Sequence, residues 1–201
     1  MEALSLSEVP RNLVEDICRD ISDFTIGFVR LRETEAEEDA ELGGSGTLVQ
    51  IDDSYGILTV HHVLEQLPRT GEIGLIIATR FGAKLHRTTV KGEVLRRVEI
   101  ARRSTSSEGP DLGLLILPAA DVGRLKAVKT FYNLSRRRER MIGHPLNHDE
   151  GIWFLCGFAG ELTSDKPPER GYSRVKEFRG MCGAGGLEKE YSEGDIDSFL
   201  S

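Results

Sequence analysis

The chain has 201 residues, of which 26 are Lys or Arg and 33 are Asp or Glu, so its net charge is -7. Hydrophobic residues make up 39% and charged residues 29%, which excludes a fibrous, low-complexity or wholly disordered chain. No segment approaches the roughly 18–20 apolar residues that a membrane span needs. The acidic balance also argues against nonspecific binding of nucleic acid or of an anionic membrane.

The N-terminal segment and the cysteines indicate the compartment. The first residues lack a basic segment followed by an apolar one, so we predict no secretory signal. Cys18, Cys156 and Cys182 are too few and too scattered for a disulfide framework or a zinc knuckle. We therefore expect a reducing, cytoplasmic setting, with Cys18 and Cys156 as small buried apolar residues.

The first half of the chain predicts one helix and then strands. The helical period over residues 8–22 predicts a helix that Ser7 caps and that holds Pro10 in its first turn. A strand over 22–33 follows, and the acidic, glycine-rich run 33–46 predicts an exposed loop. Further strands are predicted over 47–53, 55–60, 71–81, 86–103 and 112–118, with a short helical turn over 61–68.

The second half has weaker patterns. It predicts a strand over 126–135, a polar connection over 135–151, a strong strand over 152–162, a loop over 163–171, a short strand over 172–178, a glycine-rich turn over 180–186 and an acidic tail over 187–201. The polar connection carries a basic cluster, Arg136–Arg138 with Arg140, for which a solvated loop is favoured over contact with nucleic acid or an acidic partner.

Three segments carry the residue types that acyl transfer needs. They are GSGTL with GILTVHHVL (44–48 and 56–64), GPDLGLLIL (109–117) and GMCGAGG (180–186). They supply a histidine at a strand end, an aspartate at a strand start and a thiol in a glycine-rich turn. A thiol needs a base to take its proton, and a carboxylate fixes the tautomer of an imidazole base. Glycines allow backbone N–H groups to point at one oxyanion.

These segments resemble those of the trypsin-like (chymotrypsin-fold) peptidases. GILTVHHVL is similar to the family's Thr-Ala-Ala-His-Cys stretch, PDLGLLIL to Asp-Ile-Ala-Leu-Leu, and GMCGAG to Gly-Asp-Ser-Gly-Gly. The resemblance implies His62 as the general base, Asp111 as the orienting acid and Cys182 as the nucleophile. It also implies the backbone N–H groups of Gly180 and Cys182 as oxyanion donors. It does not assign the base to His61, for which a structural role is favoured.

The resemblance also implies a mainly β fold of two antiparallel β-barrels behind a short N-terminal helix. Residues 1–23 would form the helical segment, 24–118 the first barrel with His62 and Asp111, and 119–201 the second barrel with the nucleophile turn and the tail. The stretch 160–180 is short for this family, and only 19 residues follow Cys182 (201 minus 182). We therefore expect the second barrel to be incomplete.

Three functions follow as hypotheses. The first is an endopeptidase that cuts a polypeptide substrate with a Cys-His-Asp triad and needs no metal or organic cofactor. The alternative is a catalytically inactive or truncated trypsin-like fold that serves as a binding or regulatory module, or one that a second protein chain completes. The third is a redox sensor at Cys182, although no resolving cysteine lies near it in the sequence.

A metal site has little support in the sequence. His144 and His148 have a spacing seen in metal sites, but no Cys or acidic residue stands at a supporting spacing. We therefore predict no metal ligands in this chain.

Overall fold

The protein is described by a computed structural model over residues 9–33, 38–78, 86–102, 110–143, 152–160, 164–166, 175–177 and 180–186. The helices are α1 (Arg11–Ser22), α2 (His61–Gln66), α3 (Ala119–Lys126) and α4 (Leu134–Gly143). The strands are β1 (Thr25–Glu33), β2 (Glu38–Ile51), β3 (Ser54–Thr59), β4 (Glu72–Ile77), β5 (His86–Lys91), β6 (Arg96–Ala101), β7 (Leu112–Ile116), β8 (Tyr132–Asn133), β9 (Ile152–Phe158), β10 (Ser164–Lys166), β11 (Val175–Glu177) and β12 (Gly180–Gly186). The fold is mainly β, as the sequence predicts.

One antiparallel sheet contains the strands of the first half. Its order is β5-β4-β1-β2-β3-β7-β6, and β8 adds to β2 as a short parallel strand. Alternating apolar residues of these strands form the core, with Ile26, Phe28, Leu48, Ile57 and Leu115 fully buried. The edge strands β5 and β6 are joined by a single 3-10 turn, Gly92–Val94, so the end of β5 lies near the start of β6. No β5–β6 ladder closes the sheet within the described ranges.

The segment predicted as an exposed acidic loop belongs largely to the sheet. β2 starts at Glu38 and pairs with β1 from Glu38 to Thr47, with an irregularity between Phe28 and Val29. The glycines of this segment serve close packing, because a Cβ at Gly44 would lie 2.7 Å from Val63 Cγ2 of α2. Gly44 also has a φ of 135°, which favours glycine. Composition alone indicated a loop, whereas the partner strand supplies the hydrogen bonds that make it a strand.

Two helices that the sequence patterns did not predict follow residue 118. α3 occupies Ala119–Lys126 and buries Val122 and Leu125, which are three residues apart on one helix face. The predicted strand over 126–135 shrinks to Tyr132–Asn133. α4 occupies the start of the predicted polar connection. Its N-terminus is capped by Asn133, whose Oδ1 accepts a hydrogen bond from the Arg136 N–H at 2.7 Å.

The described strands of the second half form two small sheets, β10–β11 and β9–β12. The predicted glycine-rich turn over 180–186 is instead the strand β12, which pairs antiparallel with β9. β9 is anchored to the large sheet by Ser45, whose hydroxyl accepts from the Phe158 N–H at 2.7 Å and donates to its carbonyl at 3.2 Å. The Phe158 ring packs with Val29 and Ile76 on that sheet.

α1 is shorter than the helix predicted over 8–22. It begins at Arg11, with Pro10 at its N-cap, while the predicted cap Ser7 lies outside the described residues. Cys18 and Cys156 are partly exposed rather than fully buried as expected. The helix end is tied to the sheet by Lys129, whose Nζ donates to the carbonyls of Ser22 at 2.5 Å and Ala78 at 2.7 Å. Burial lowers the pKa of Lys129 to about 8.

Within the part of the chain that the structure describes, no helix is long and apolar enough to cross a membrane.

A pair of glycine substitutions tests this packing. A Cβ at Gly56 in β3 would lie 2.5 Å from the backbone oxygen of Leu115 in β7, whereas a Cβ at Gly123 in α3 would meet nothing within 4 Å. Gly56→Ala should lower the free energy of unfolding by about 1–3 kcal/mol, because two paired strands must separate. Gly123→Ala should raise it by up to about 1 kcal/mol, because alanine favours the helix. Urea unfolding measures both, and equal effects of the two substitutions would contradict this packing.

Candidate active site

The pairing of β3 with β7 brings two predicted site residues together. Thr59, at the end of β3, is the partner of Gly113, near the start of β7. His62 follows β3 by three residues in α2, and Asp111 precedes β7 directly. In an antiparallel pair, the end of one strand lies beside the start of its partner. The register therefore places His62 and Asp111 at the same edge of the sheet.

His62 and Asp111 form a close pair. His62 Nδ1 lies 2.5 Å from Asp111 Oδ2, and the histidine side chain is 58% exposed while the aspartate side chain is 13% exposed. The hydrogen bond from His62 holds the pKa of Asp111 below its usual value. A carboxylate beside Nδ1 favours the imidazole tautomer with the proton on Nδ1, and this tautomer leaves a free lone pair on Nε2. The pair therefore has the geometry of an oriented general base.

Arg97 holds the helix that carries His62, and the sequence reading missed it. Its guanidinium donates to the carbonyls of Leu64, Leu67 and Pro68 at 2.5, 3.0 and 2.6 Å. These carbonyls lie at the C-terminal end of α2, where a helix has unpaired acceptors. The sequence gives no local signal for this role, because burial does not alternate regularly along the strand β6.

His61 is 7% exposed, and its ring lies beside two glutamates. Its Nε2 lies 3.3 Å from Glu99 Oε2, and its Nδ1 lies 3.9 Å from Glu65 Oε2. Glu65 also accepts a hydrogen bond from Arg102 at 2.6 Å, which holds the pKa of Glu65 below its usual value. This placement agrees with the structural role expected of His61.

The structure does not join Cys182 to the His62–Asp111 pair. Cys182 stands opposite Cys156 in the β9–β12 ladder. Its thiol lies within hydrogen-bonding reach of the thiols of Cys18 and Cys156, and no hydrogen bond between Cys182 and His62 occurs among the described residues. Burial raises the pKa of the Cys182 thiol, and the Cys18 and Cys156 neighbours raise it further. In this arrangement the thiol is protonated at neutral pH.

The expected oxyanion donors also lack the geometry they would need. Gly180 and Cys182 are alternate residues of the strand β12. Alternate N–H groups of an extended strand are parallel and about 6.8 Å apart, whereas two donors must each lie about 2.7–3.1 Å from one oxyanion. The assignment of these two N–H groups stays a prediction that requires a local bend in β12.

No group of three or more His, Cys, Asp or Glu side chains is arranged to hold a metal ion in the described ranges. His144 and His148, the pair with metal-like spacing, lie outside those ranges.

A second candidate site lies between β8 and α4. It is a cavity of about 480 Å³ lined by Phe24, Thr130, Phe131, Tyr132, Asn133, Arg136 and Arg137. The Arg137 guanidinium lies 4.9 Å from the centroid of the Tyr132 ring. Arg136, Arg137 and Arg138 are exposed on α4 rather than in a loop. Aromatic walls with arginine donors at the rim suit a ligand that carries negative charge.

The comparisons with known proteins identify no relative. No protein-family model, no curated protein and no solved structure matches the chain.

A substitution in α1 tests the environment of Cys182. Cys18→Ala removes a neighbour that raises the pKa of the Cys182 thiol, so that pKa should fall. Because only the thiolate reacts, the rate of Cys182 alkylation by iodoacetamide should rise at lower pH than in the unsubstituted chain. Peptide mass spectrometry across a pH series gives the rate at Cys182 alone. Leu13→Ala, at an exposed position of the same helix, should leave the profile unchanged. An unchanged profile in Cys18→Ala would refute the contact.

Proposed function

We propose that the chain is a trypsin-like hydrolase of peptide bonds, with His62 as general base, Asp111 as its orienting acid and Cys182 as nucleophile. One observation carries the proposal: His62 and Asp111 are 49 positions apart in the sequence, yet their side chains meet at 2.5 Å. The contact matches the histidine–carboxylate part of a catalytic triad, with a carboxylate on one ring nitrogen of an exposed imidazole.

The proposed reaction is acyl transfer in two steps. The Cys182 sulfur attacks the peptide carbonyl carbon while His62 Nε2 takes the thiol proton. His62 then gives that proton to the leaving amine, and a thioester to Cys182 remains. A water molecule, deprotonated by His62, hydrolyses the thioester and regenerates the thiol. Asp111 stabilises the imidazolium at both stages without being protonated itself.

The architecture we propose is a first barrel over 24–118 and a reduced second barrel over 119–201. The near approach of β5 and β6 supports a barrel-like curvature of the large sheet. The two small sheets of the second half suit a reduced barrel. A free thiol nucleophile persists in a reducing compartment, so we propose a cytoplasmic location.

The proposal requires a movement of Cys182. Its thiol lies with Cys18 and Cys156, and it must leave them to reach His62. A polypeptide substrate, or a second chain that completes the reduced barrel, would drive that movement if it bound the rearranged form more tightly. The same bend in β12 would allow the Gly180 and Cys182 N–H groups to converge on an oxyanion.

The direct test is hydrolysis of a fluorogenic peptide library by the full chain. His62→Ala, Asp111→Asn and Cys182→Ala should each lower kcat/KM by about 10³–10⁴-fold, because the three residues act as one unit. His86→Ala, which removes an exposed histidine from β5, is the matched control and should keep full activity. Equal cleavage by the unsubstituted chain and by Cys182→Ala would overturn the proposed nucleophile.

The second candidate function is that of a catalytically inactive binding module. The position of Cys182 among two other thiols, with no bond to His62 in the described residues, favours it. The cavity beside α4 would then be the binding surface, and an acidic peptide matches the charges of Arg136 and Arg137. If the chain hydrolyses no peptide, even with candidate partners present, the binding module is favoured over the peptidase.

A further inference from the structure

All of the chain's cysteines meet at one place. The sequence contains three cysteines, and they stand on α1, β9 and β12. Cys182 is the ladder partner of Cys156, and α1, which carries Cys18, packs against both β9 and β12. None of the three is fully buried, so small reagents can approach the cluster. We call Cys18, Cys156 and Cys182 the thiol cluster.

The positions within the cluster suit a disulfide. Cys156 and Cys182 are direct partners in the antiparallel ladder of β9 and β12. The Cα atoms of such partners lie about 4.5–5.5 Å apart, and a disulfide requires about 4.4–6.8 Å. The bond can therefore form without a large shift of either strand. Cys18 lies close enough to the same sulfur to act as a third, exchanging thiol.

We propose that the thiol cluster is a reversible disulfide site, in which Cys182 pairs with Cys156 and Cys18 exchanges with them. The sequence alone offered Cys182 no resolving cysteine, whereas the fold supplies two. This site forms its bond whether or not Cys182 is a catalytic nucleophile.

The chemistry is thiol–disulfide exchange with a low-molecular-weight disulfide of the glutathione class. Cys156 attacks the external disulfide and releases one thiol. Cys182 then attacks the Cys156 sulfur of the mixed disulfide and releases the second thiol. The two cysteines lose two electrons and two protons, and the external disulfide gains them as two thiols. Cys18 can later attack Cys182, which moves the bond without further oxidation.

The site has a consequence for catalysis that does rest on the proposed function. Oxidation removes the Cys182 thiol that the proposed acyl transfer requires, so the disulfide form would be inactive. Reduction would restore the thiol. The same residue would then connect peptide hydrolysis to the redox state of its surroundings.

The test maps disulfides in the folded, full-length chain. The reduced protein is incubated with glutathione disulfide, remaining thiols are blocked with N-ethylmaleimide, and digested peptides are identified by mass spectrometry. We expect a linked Cys156–Cys182 peptide and a blocked Cys18. Cys18→Ser should form the same linked peptide, and Cys182→Ser should form no intramolecular disulfide at comparable glutathione ratios. Circular dichroism establishes whether each variant is folded. If a variant is unfolded, the disulfide map of the unsubstituted chain alone tests the proposal.

Two results would overturn the inference. One is a folded chain in which all three cysteines remain blocked by N-ethylmaleimide or carry only glutathione. The other is a Cys182→Ser variant that links Cys18 to Cys156 as readily as the unsubstituted chain links Cys156 to Cys182. Neither readout uses peptide hydrolysis. A chain that forms the disulfide but cleaves no peptide therefore overturns the proposed function and leaves the disulfide site standing.

Discussion

The antiparallel pairing of β3 with β7 is the constraint on which the candidate active site depends. It sets Thr59 opposite Gly113, and from that register His62 and Asp111 must emerge at one edge of the sheet. The ladder lies between β2 on one side and the edge strand β6 on the other, so both of its strands are paired on both sides. A one-residue slip would turn the side chains of a whole strand to the opposite face, so the buried residues of both strands fix the register.

The helix α2 turns this register into a contact between side chains. It packs close to the sheet because Gly44 and Gly113 leave room for Val63 and Leu64, whose side chains an added Cβ would clash with. Arg97 satisfies the carbonyls at the far end of the helix. The position of His62 is therefore set by packing and hydrogen bonds on both ends of a six-residue helix, and not by the helix's own stability.

Much of this could be predicted from residue patterns. The alternation of apolar residues predicted the strands around the core. His62 and Asp111 could be located because each lies next to one of these predicted strands. The short helix α4 was missed because its arginines suggested a solvated connection, although Asn133 and the following residues form an ordinary helix cap. The strand β12 was predicted as a turn because glycines favour turns, and its pairing with β9 depends on residues about 25 positions away. The meeting of Cys18, Cys156 and Cys182 is a property of the tertiary fold that no local pattern contains.

Cys182 has two chemistries open to it because it is partly buried next to two other thiols. Burial and neighbouring thiols keep it protonated, which opposes a resting thiolate–imidazolium pair. The same neighbours are disulfide partners in a suitable position. The fold thus holds the Cys182 thiol within the thiol cluster, while the His62–Asp111 pair forms without it.

The most direct test of this account is the tautomer of His62, measured from the ring ¹⁵N chemical shifts of the neutral imidazole. The account predicts a proton on Nδ1, donated to Asp111, and a shift of that proton toward Nε2 in Asp111→Asn. A proton on Nε2 in the unsubstituted chain, unaffected by Asp111→Asn, would contradict the His62–Asp111 pair and with it the proposed general base.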